Sequence, residues 1–122
     1  MAHPTTPALD AAMLANTAAN PARIVFQDHA GKLTAGEFAV FSFLLGKHIA
    51  SLTSAPTVGV CLPTIKEYPL AAFGIIAAGK TLVPINFLLQ PRELAHVFKD
   101  SGLDLVITAS LFKDKLAPLG VK

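Results

Sequence analysis

The chain is poor in the residues that mark several large classes of protein. Only 15% of its 122 residues are charged, and tryptophan is absent; a typical soluble domain has about 25% charged residues. The net charge of +2 comes without a cluster of lysine and arginine, so we expect no nucleic acid partner. No basic region followed by an apolar run opens the sequence, and a secretory signal is therefore not expected.

Cysteine is equally scarce, since Cys61 is the single one. It cannot form an internal disulfide, and its place in a β-branched segment favours a small buried hydrophobic residue over a nucleophile. A lone buried thiol fits a reducing compartment, so the predicted location is cytoplasmic. The histidines His3, His29, His48 and His96 share no metal-ligand spacing, and no metal site is predicted.

Apolar residues, by contrast, are in excess. They make up 52% of the chain, with a mean hydropathy of +0.55, in a length that suits one domain or a piece of one. Some apolar surface is therefore expected to be covered by a partner, a membrane or the rest of a longer chain. The one segment long enough to span a membrane, 69–89, carries Lys80, Pro84 and Asn86 and turns from helical to β character, so no membrane span is predicted.

The order of the elements indicates an α/β fold. An Ala-rich helix at 8–18 comes first, and a β-hairpin follows with strands at 22–27 and 32–34. A longer helix starts at Thr34, because Thr34-Ala-Gly-Glu37 is a capping box in which hydroxyl and carboxylate each bond a backbone amide. The apolar residues predicted to form its buried stripe are Phe38, Phe41, Leu45, Ile49 and Leu52.

After a polar linker, the rest of the chain alternates between strand and helix. The predicted order is strand 58–62, helix 67–78, strand 81–84, helix 91–101, strand 103–108 and the opening of a helix at 109–116. Short β-branched strands separated by apolar helices are typical of parallel βαβ units. We therefore expect a small parallel sheet with helices on both faces, plus the N-terminal β-hairpin.

In such sheets ligands collect beyond the carboxyl ends of the strands, here at 62–64, 84–87 and 108–110. No Ser-His-Asp triad and no pair of carboxylates with a metal or acid/base spacing is recognisable. Asp104 falls within the third predicted strand, where an edge or outward-facing side chain is expected. The sequence therefore predicts no catalytic, no cofactor-binding and no metal-binding residue.

One motif points to a different function. The residues from Gly74 to Thr81 match the pattern G-x-x-x-x-G-K-[ST] of phosphate-binding loops. That loop leaves a strand and opens a helix, whereas here a helix precedes Lys80 and a β-rich segment with Pro84 follows it. Gly79 is therefore predicted to end the helix, with Lys80 as a cation at its carboxyl end. A P-loop NTPase that uses Gly74, Lys80 and Thr81 is the least favoured alternative.

Several motifs resemble the N-terminal part of the adenylate-forming (AMP-binding) enzymes: acyl-CoA synthetases, acyl-carrier-protein ligases, luciferases and peptide-synthetase adenylation domains. From about Pro21 onward they follow the family's order and spacing. They are Lys-Leu-Thr-Ala-Gly-Glu-Phe at 32–38, Val-Gly-Val-Cys-Leu-Pro-Thr at 58–64, Phe-Gly-Ile, Ala-Gly and Val-Pro-Ile-Asn within 73–86, and Glu-Leu-Ala-His and Asp-Ser-Gly within 93–102. Ala35, Phe38 and Thr64 stand where the family usually has tyrosine, leucine and asparagine.

The resemblance implies an incomplete N-terminal subdomain of that fold, with an arm and short helix at 1–20 and the truncated α/β portion at 21–122. It implies a parent ligase that uses ATP and Mg²⁺ to turn a carboxylic acid, a fatty acid above all, into an acyl-adenylate. The acyl group then passes to coenzyme A or a carrier protein. The family's phosphate-binding and catalytic segments lie beyond residue 122, so the chain alone is expected to be inactive and to bind no cofactor.

Two further expectations follow. The remainder of the synthetase chain is the implied partner, and without it the unprotected sheet edge is expected to cause self-association. A non-catalytic α/β interaction module is the main alternative function. The identity of the acid and the choice between coenzyme A and a carrier protein stay open.

Overall fold

The computed structural model describes residues 9–120, so the first eight residues of the predicted arm and short helix at 1–20 lie outside the described residues. Five α-helices, five strands and two short 3-10 turns follow one another in this part of the chain. They are α1 (Leu9–Ala19), β1 (Ile24–Asp28), β2 (Gly31–Thr34), α2 (Ala35–Leu52), β3 (Thr57–Cys61), α3 (Glu67–Ala77), β4 (Thr81–Pro84), α4 (Pro91–Ser101), β5 (Val106–Thr108), a 3-10 turn (Ser110–Phe112), α5 (Lys113–Leu116) and a second 3-10 turn (Ala117–Leu119).

The α/β architecture predicted from the sequence is confirmed. Strands β3, β4 and β5 form a parallel sheet in the order β4-β3-β5, and β1 and β2 form a separate antiparallel hairpin. Helices cover both faces of the parallel sheet. The buried residues of the strands and helices accordingly form two apolar clusters. One cluster contains Ile49, Val58, Val60, Leu62, Ala71, Ile75 and Leu105, and the other contains Cys61, Ile85, Leu94, Phe98, Leu103, Val106 and Leu116.

Helix α2 buries only part of the predicted stripe. Phe38 and Ile49 are buried as expected and Leu45 packs against the core, but Phe41 is 44% and Leu52 40% exposed. The residues that α2 does bury are mostly small: Ala35, Phe38, Ala39, Ser42, Gly46 and Ile49. The prediction that large residues mark the whole buried stripe was wrong, because at Gly46 helix α2 approaches α3 so closely that no larger side chain fits.

The start of α2 confirms half of the predicted capping box. The Thr34 hydroxyl accepts a hydrogen bond from the Glu37 backbone N–H at 3.2 Å. The Glu37 carboxylate accepts from the Thr34 hydroxyl at 3.0 Å, where the motif predicts a bond to the Thr34 backbone amide. Thr34 is also the last residue of the hairpin and pairs with Ile24, so its backbone serves the sheet as well as the helix.

Helix α3 ends as predicted. Gly79 has a left-handed φ of 74°, which glycine adopts without steric cost. The Gly79 N–H donates to the Ile76 carbonyl at 2.9 Å and the Lys80 N–H donates to the Ile75 carbonyl at 3.1 Å. This pair of bonds is the Schellman motif, which satisfies the last carbonyls of a helix and turns the chain out of it.

Strand β5 is shorter than predicted. It begins at Val106, and Leu103 and Leu105 are buried in the segment that leads into it. The prediction mistook this buried apolar segment for a strand, although the ladder with β3 starts only at the pair Gly59–Val106. Asp104 therefore lies before the strand, and its carboxylate accepts a hydrogen bond from the Thr53 hydroxyl. The helix predicted at 109–116 is divided into a 3-10 turn and the single turn of α5.

Candidate functional site at the carboxyl edge of the sheet

The carboxyl ends of β3, β4 and β5 meet at one edge of the sheet, where the backbone is already hydrogen bonded. The Thr108 hydroxyl at the end of β5 donates to the Cys61 carbonyl at 2.7 Å. The Ile85 N–H just after β4 donates to the Val60 carbonyl at 2.8 Å. These bonds join both outer strands to β3, so the strand ends at this edge form a preformed platform that is fixed by hydrogen bonds.

The segments that follow β4 and β5 are held together above this platform. Phe87 and Phe112 stack with their ring centroids 4.8 Å apart and their planes 18° apart. The Lys115 ammonium donates a hydrogen bond to the Phe87 carbonyl. Asn86 accepts from the Leu88 N–H at 2.9 Å and so shapes the first turn of the loop. An aromatic stack, a lysine and an asparagine thus occupy this part of the edge with structural contacts.

Cys61 lies at the same edge but is not poised for chemistry. It is free and 1% exposed. Burial raises the pKa of its thiol, because desolvation disfavours the thiolate. The sequence prediction of a buried hydrophobic cysteine is therefore confirmed.

A carboxylate next to the end of β3 joins the hairpin to the sheet. Asp28 accepts hydrogen bonds from the backbone N–H of Lys66 at 3.0 Å and from those of Ala30 and Gly31 at 2.8 and 3.1 Å. The Lys66 ammonium lies 3.5 Å from the same carboxylate and 2.8 Å from that of Glu67. The hydrogen bond from the Lys66 amide is the main reason why the pKa of Asp28 falls to about 2.

Two grooves lie near the hairpin. One, of about 350 Å³, is lined by Phe26, Gln27, Asp28, Thr64, Ile65, Lys66 and Pro69. The other, of about 480 Å³, lies between α1, the hairpin and helices α2 and α3, where Phe38 contacts Phe26 and Phe73 at centroid distances of 5.0 and 5.1 Å. Both grooves are mainly apolar. The charged residues of the smaller groove, Asp28 and Lys66, already bond each other, and the larger groove has Arg23 as its charged residue.

The residues of the phosphate-loop pattern do not form such a loop. Gly74 lies inside α3 and is buried, and an added Cβ there would meet Leu45 at 2.8 Å. The Lys80 ammonium donates to the Ala55 carbonyl at 2.6 Å, and Thr81 begins β4. Lys80 therefore lies at the amino edge of the sheet, opposite the carboxyl edge, with no helix N-terminus after it. The alternative of a P-loop NTPase is wrong for this geometry.

Residues 9–120 supply no other recognisable reaction centre. Within this range no group of three or more His, Cys, Asp or Glu side chains could hold a metal ion. His96 makes an exposed contact with Asp100 at 3.3 Å along α4. No helix in the same range is long and apolar enough to cross a membrane. The contacts of Asp28 and of Phe87 were not predicted from the sequence. The turn residues at 28–31 were the only sequence signal for the contacts of Asp28.

The AMP-binding enzyme family matches residues 14–121, and the chain belongs to this family. It is 38% identical over 65 residues to a long-chain-fatty-acid–CoA ligase from Escherichia coli O6:H1. That match covers 53% of this chain but 12% of the relative, so the chain spans a small part of the relative's length.

Solved structures confirm the fold over most of the chain. A benzoate CoA ligase from Burkholderia xenovorans LB400 superposes with a TM-score of 0.80 at 18% identity, covering 93% of this chain and 24% of that one. The nonribosomal peptide synthetase FmoA3 in its AMPPNP-bound form gives a TM-score of 0.79 at 24% identity, covering 88% of this chain and 12% of the synthetase. The same fold therefore occurs in a CoA ligase and in a nonribosomal peptide synthetase.

Proposed function

We propose that these residues form the N-terminal portion of an ATP-dependent ligase that activates a carboxylic acid, with a fatty acid as the favoured substrate. The acid would react with ATP to give an acyl-adenylate and pyrophosphate, and the acyl group would then pass to a thiol. The observation that carries this proposal is the family match over 14–121. The 38% identity to a fatty-acid–CoA ligase favours the fatty acid. Residues 1–20 would form an arm and short helix ahead of this portion.

In this proposal the chain supplies structure rather than reacting groups. Attack of a carboxylate on the α-phosphate of ATP needs Mg²⁺ and cationic donors that spread the developing charge. The carboxyl edge offers Lys66 and Lys115, but Lys66 already contacts Asp28 and Glu67, and Lys115 donates to the Phe87 carbonyl. The described residues do not fit a Mg²⁺ site, as no cluster of ligands is present among 9–120. We therefore expect the 122 residues alone to be inactive.

The proposed partners follow from the same role. They are the remainder of the synthetase polypeptide, the acid, and coenzyme A or a carrier protein as acceptor. A cytoplasmic location is supported by the single, buried cysteine. Separated from its remainder, the sheet has β4 and β5 as its outer strands among the described residues, and their free edges could pair with a second copy. Pro84 in β4 limits that pairing, because proline cannot donate a ladder hydrogen bond.

The experiment compares the 122-residue chain with the product of its complete reading frame. Each is incubated with ATP, Mg²⁺ and carboxylic acids from acetate to long-chain fatty acids, and pyrophosphate release is measured. We expect acid-dependent release from the longer product and none from the 122 residues. Release from the 122 residues would refute the scaffolding role. No release from the longer product with any acid would favour the interaction module instead.

A further inference from the structure

The larger groove near the hairpin, between α1, the hairpin and helices α2 and α3, has the size of a small-molecule site. Its volume of about 480 Å³ falls within the roughly 300–1,000 Å³ of such sites. We name it the α1 groove. Its lining includes Met13, Thr17, Arg23, Phe26, Phe38 and Phe73.

Helix α1 forms one wall of the α1 groove and does not fill it. Met13 and Thr17 line the groove from this helix, yet no residue of α1 is buried. A helix of 11 residues is marginal in water unless it packs against other elements. An apolar molecule in the groove would therefore give α1 a surface on which to pack.

The rest of the lining is strongly aromatic. Phe38 contacts Phe26 and Phe73 with ring centroids 5.0 and 5.1 Å apart, and all three rings line the groove. We name these three residues the aromatic floor. Ile24 adds to the apolar lining and is 48% exposed. An alkyl chain or an aromatic ring placed here would exchange contact with water for apolar contact.

Arg23 gives the groove a positive charge that has no counterion among residues 9–120. Its backbone is fixed, because its N–H donates to the Asn20 carbonyl at 3.3 Å and its carbonyl accepts from the Ala35 N–H at 2.8 Å. None of the ion pairs in the described part of the chain includes its guanidinium. Residues 1–8 contain no aspartate or glutamate that could supply a side-chain carboxylate. The guanidinium donors are therefore available to an anion.

The smaller groove near the hairpin lacks this property. There the Asp28 carboxylate lies 3.5 Å from the Lys66 ammonium, which also contacts Glu67 at 2.8 Å. The charges of that groove are compensated by the protein itself. An anion would have to compete with two carboxylates there, whereas no carboxylate of the described chain competes at Arg23.

We propose that the α1 groove binds an amphiphilic monocarboxylate, with the carboxylate on Arg23 and the alkyl or aryl portion on the aromatic floor. The planar guanidinium matches a carboxylate through two parallel hydrogen bonds. One cation balances the single charge of a carboxylate, whereas a phosphate monoester carries nearly two charges at neutral pH. The inference goes beyond the proposed function, because it uses residues 13–73 alone and involves neither ATP nor a thiol acceptor.

The test is equilibrium dialysis of the 122-residue chain with radiolabelled decanoate below its micelle concentration, with decanol as the uncharged counterpart. Affinity should rise roughly fourfold for each methylene added between butanoate and decanoate, as long as the groove buries the added group. Decanol should bind at least tenfold more weakly than decanoate, because it cannot use the charge of Arg23. Equal binding of the two would overturn the inference.

Arg23→Gln tests the charge directly. Its side chain is exposed and has no ion-pair partner within 9–120, so the substitution should leave the fold intact. We expect decanoate affinity to fall at least tenfold, while decanol affinity changes less than twofold. Arg92→Gln, at an exposed arginine of α4 outside the groove, is the matched control and should bind both compounds like the parent. Unchanged decanoate affinity in Arg23→Gln would refute the proposal.

Two further measurements locate the bound molecule. Thr17→Trp places a large ring in the α1 groove and should abolish decanoate binding, whereas Ala95→Trp on the exposed face of α4 should not. Decanoate should also slow hydrogen exchange of the amides of Leu9–Ala19 in the parent chain, which needs no variant that has to fold. Exchange in α1 that stays unchanged at saturating decanoate would place the ligand elsewhere and overturn the inference.

These outcomes are independent of the proposed ligase activity. Decanoate binding that Arg23→Gln abolishes supports the groove whether or not the longer product releases pyrophosphate. Loss of the inference in turn leaves the pyrophosphate experiment unaffected, because that experiment depends on the longer product.

Discussion

Gly46→Ala tests how closely α2 and α3 approach each other. The new methyl group would lie 2.9 Å from the Gly74 carbonyl oxygen and 3.3 Å from the Ala78 nitrogen, and both are backbone atoms. Backbone atoms inside a helix cannot rotate away as a side chain can. The two helices must therefore move apart, and the contacts of Ser42 and Ile49 with the core would loosen with them.

Two opposing effects set the size of the change. Alanine is favoured over glycine inside a helix by about 1 kcal/mol. Inserting a methyl group into a filled contact costs typically about 1–3 kcal/mol. Because the contacting atoms are backbone, we expect the upper part of this range and a net loss of about 1–2 kcal/mol in the free energy of unfolding.

The assay is urea unfolding at 25 °C followed by far-UV circular dichroism, with the slope m required to stay constant. Gly36→Ala is the matched control, since it lies in the first turn of α2 and its nearest contact is the Pro21 carbonyl at 3.3 Å. We expect this control to lose less stability than Gly46→Ala, because its tightest contact is 3.3 Å rather than 2.9 Å. The double variant with Ala77→Gly should show a favourable coupling energy above about 0.5 kcal/mol, because the two sites share one contact. A Gly46→Ala chain more stable than the parent would refute the close approach.

Three further predictions follow from single contacts. The folded-state pKa of Asp28 is about 2, below its ordinary value of 3.8. The stabilising contribution of the Asp28 carboxylate is therefore present above pH 4 and lost as the pH falls from 4 to 2. Asp28→Asn should flatten this part of an acid-unfolding curve, and an unchanged curve would contradict this prediction. Lys80→Ala should leave ATP binding of the longer product unchanged in equilibrium dialysis, because Lys80 bonds Ala55 at the amino edge of the sheet; a loss of binding would restore the phosphate-loop interpretation. Thr34→Ala should lower the free energy of unfolding by about 1 kcal/mol through loss of a helix cap, and Thr34→Ser should not; equal losses would show that the hydroxyl bond is unimportant.

Much of the fold was accessible from local pattern. The strand β4 and the helix α4 were predicted with their observed limits, because proline at the first helical position and glycine after the last one mark helix ends directly. The end of α3 at Gly79 was predicted for the same reason. Because the helix ends there, Lys80 follows a helix and cannot belong to a phosphate-binding loop. These features depend on the backbone preferences of a few neighbouring residues, and those preferences follow directly from the residue types.

The candidate site was less accessible, because its contacts join distant residues. Asp28 bonds the Lys66 amide across 38 residues, and Thr108 bonds the Cys61 carbonyl across 47. No local pattern relates such positions, and their meeting depends on the order of strands in the sheet. The same holds for Asp104, whose pairing with Thr53 depends on where β5 begins to pair with β3.

The sequence by itself determined the alternation of strands and helices, the buried thiol and the absence of a phosphate loop, since each depends on residue type and local backbone geometry. Only the tertiary structure decided which side of α2 is buried. The large residue Phe41 was expected inside, yet the close approach of Gly46 to α3 turns it outward. Helix packing selects side chains by the space between two axes, and that distance is a property of the folded pair rather than of either helix alone.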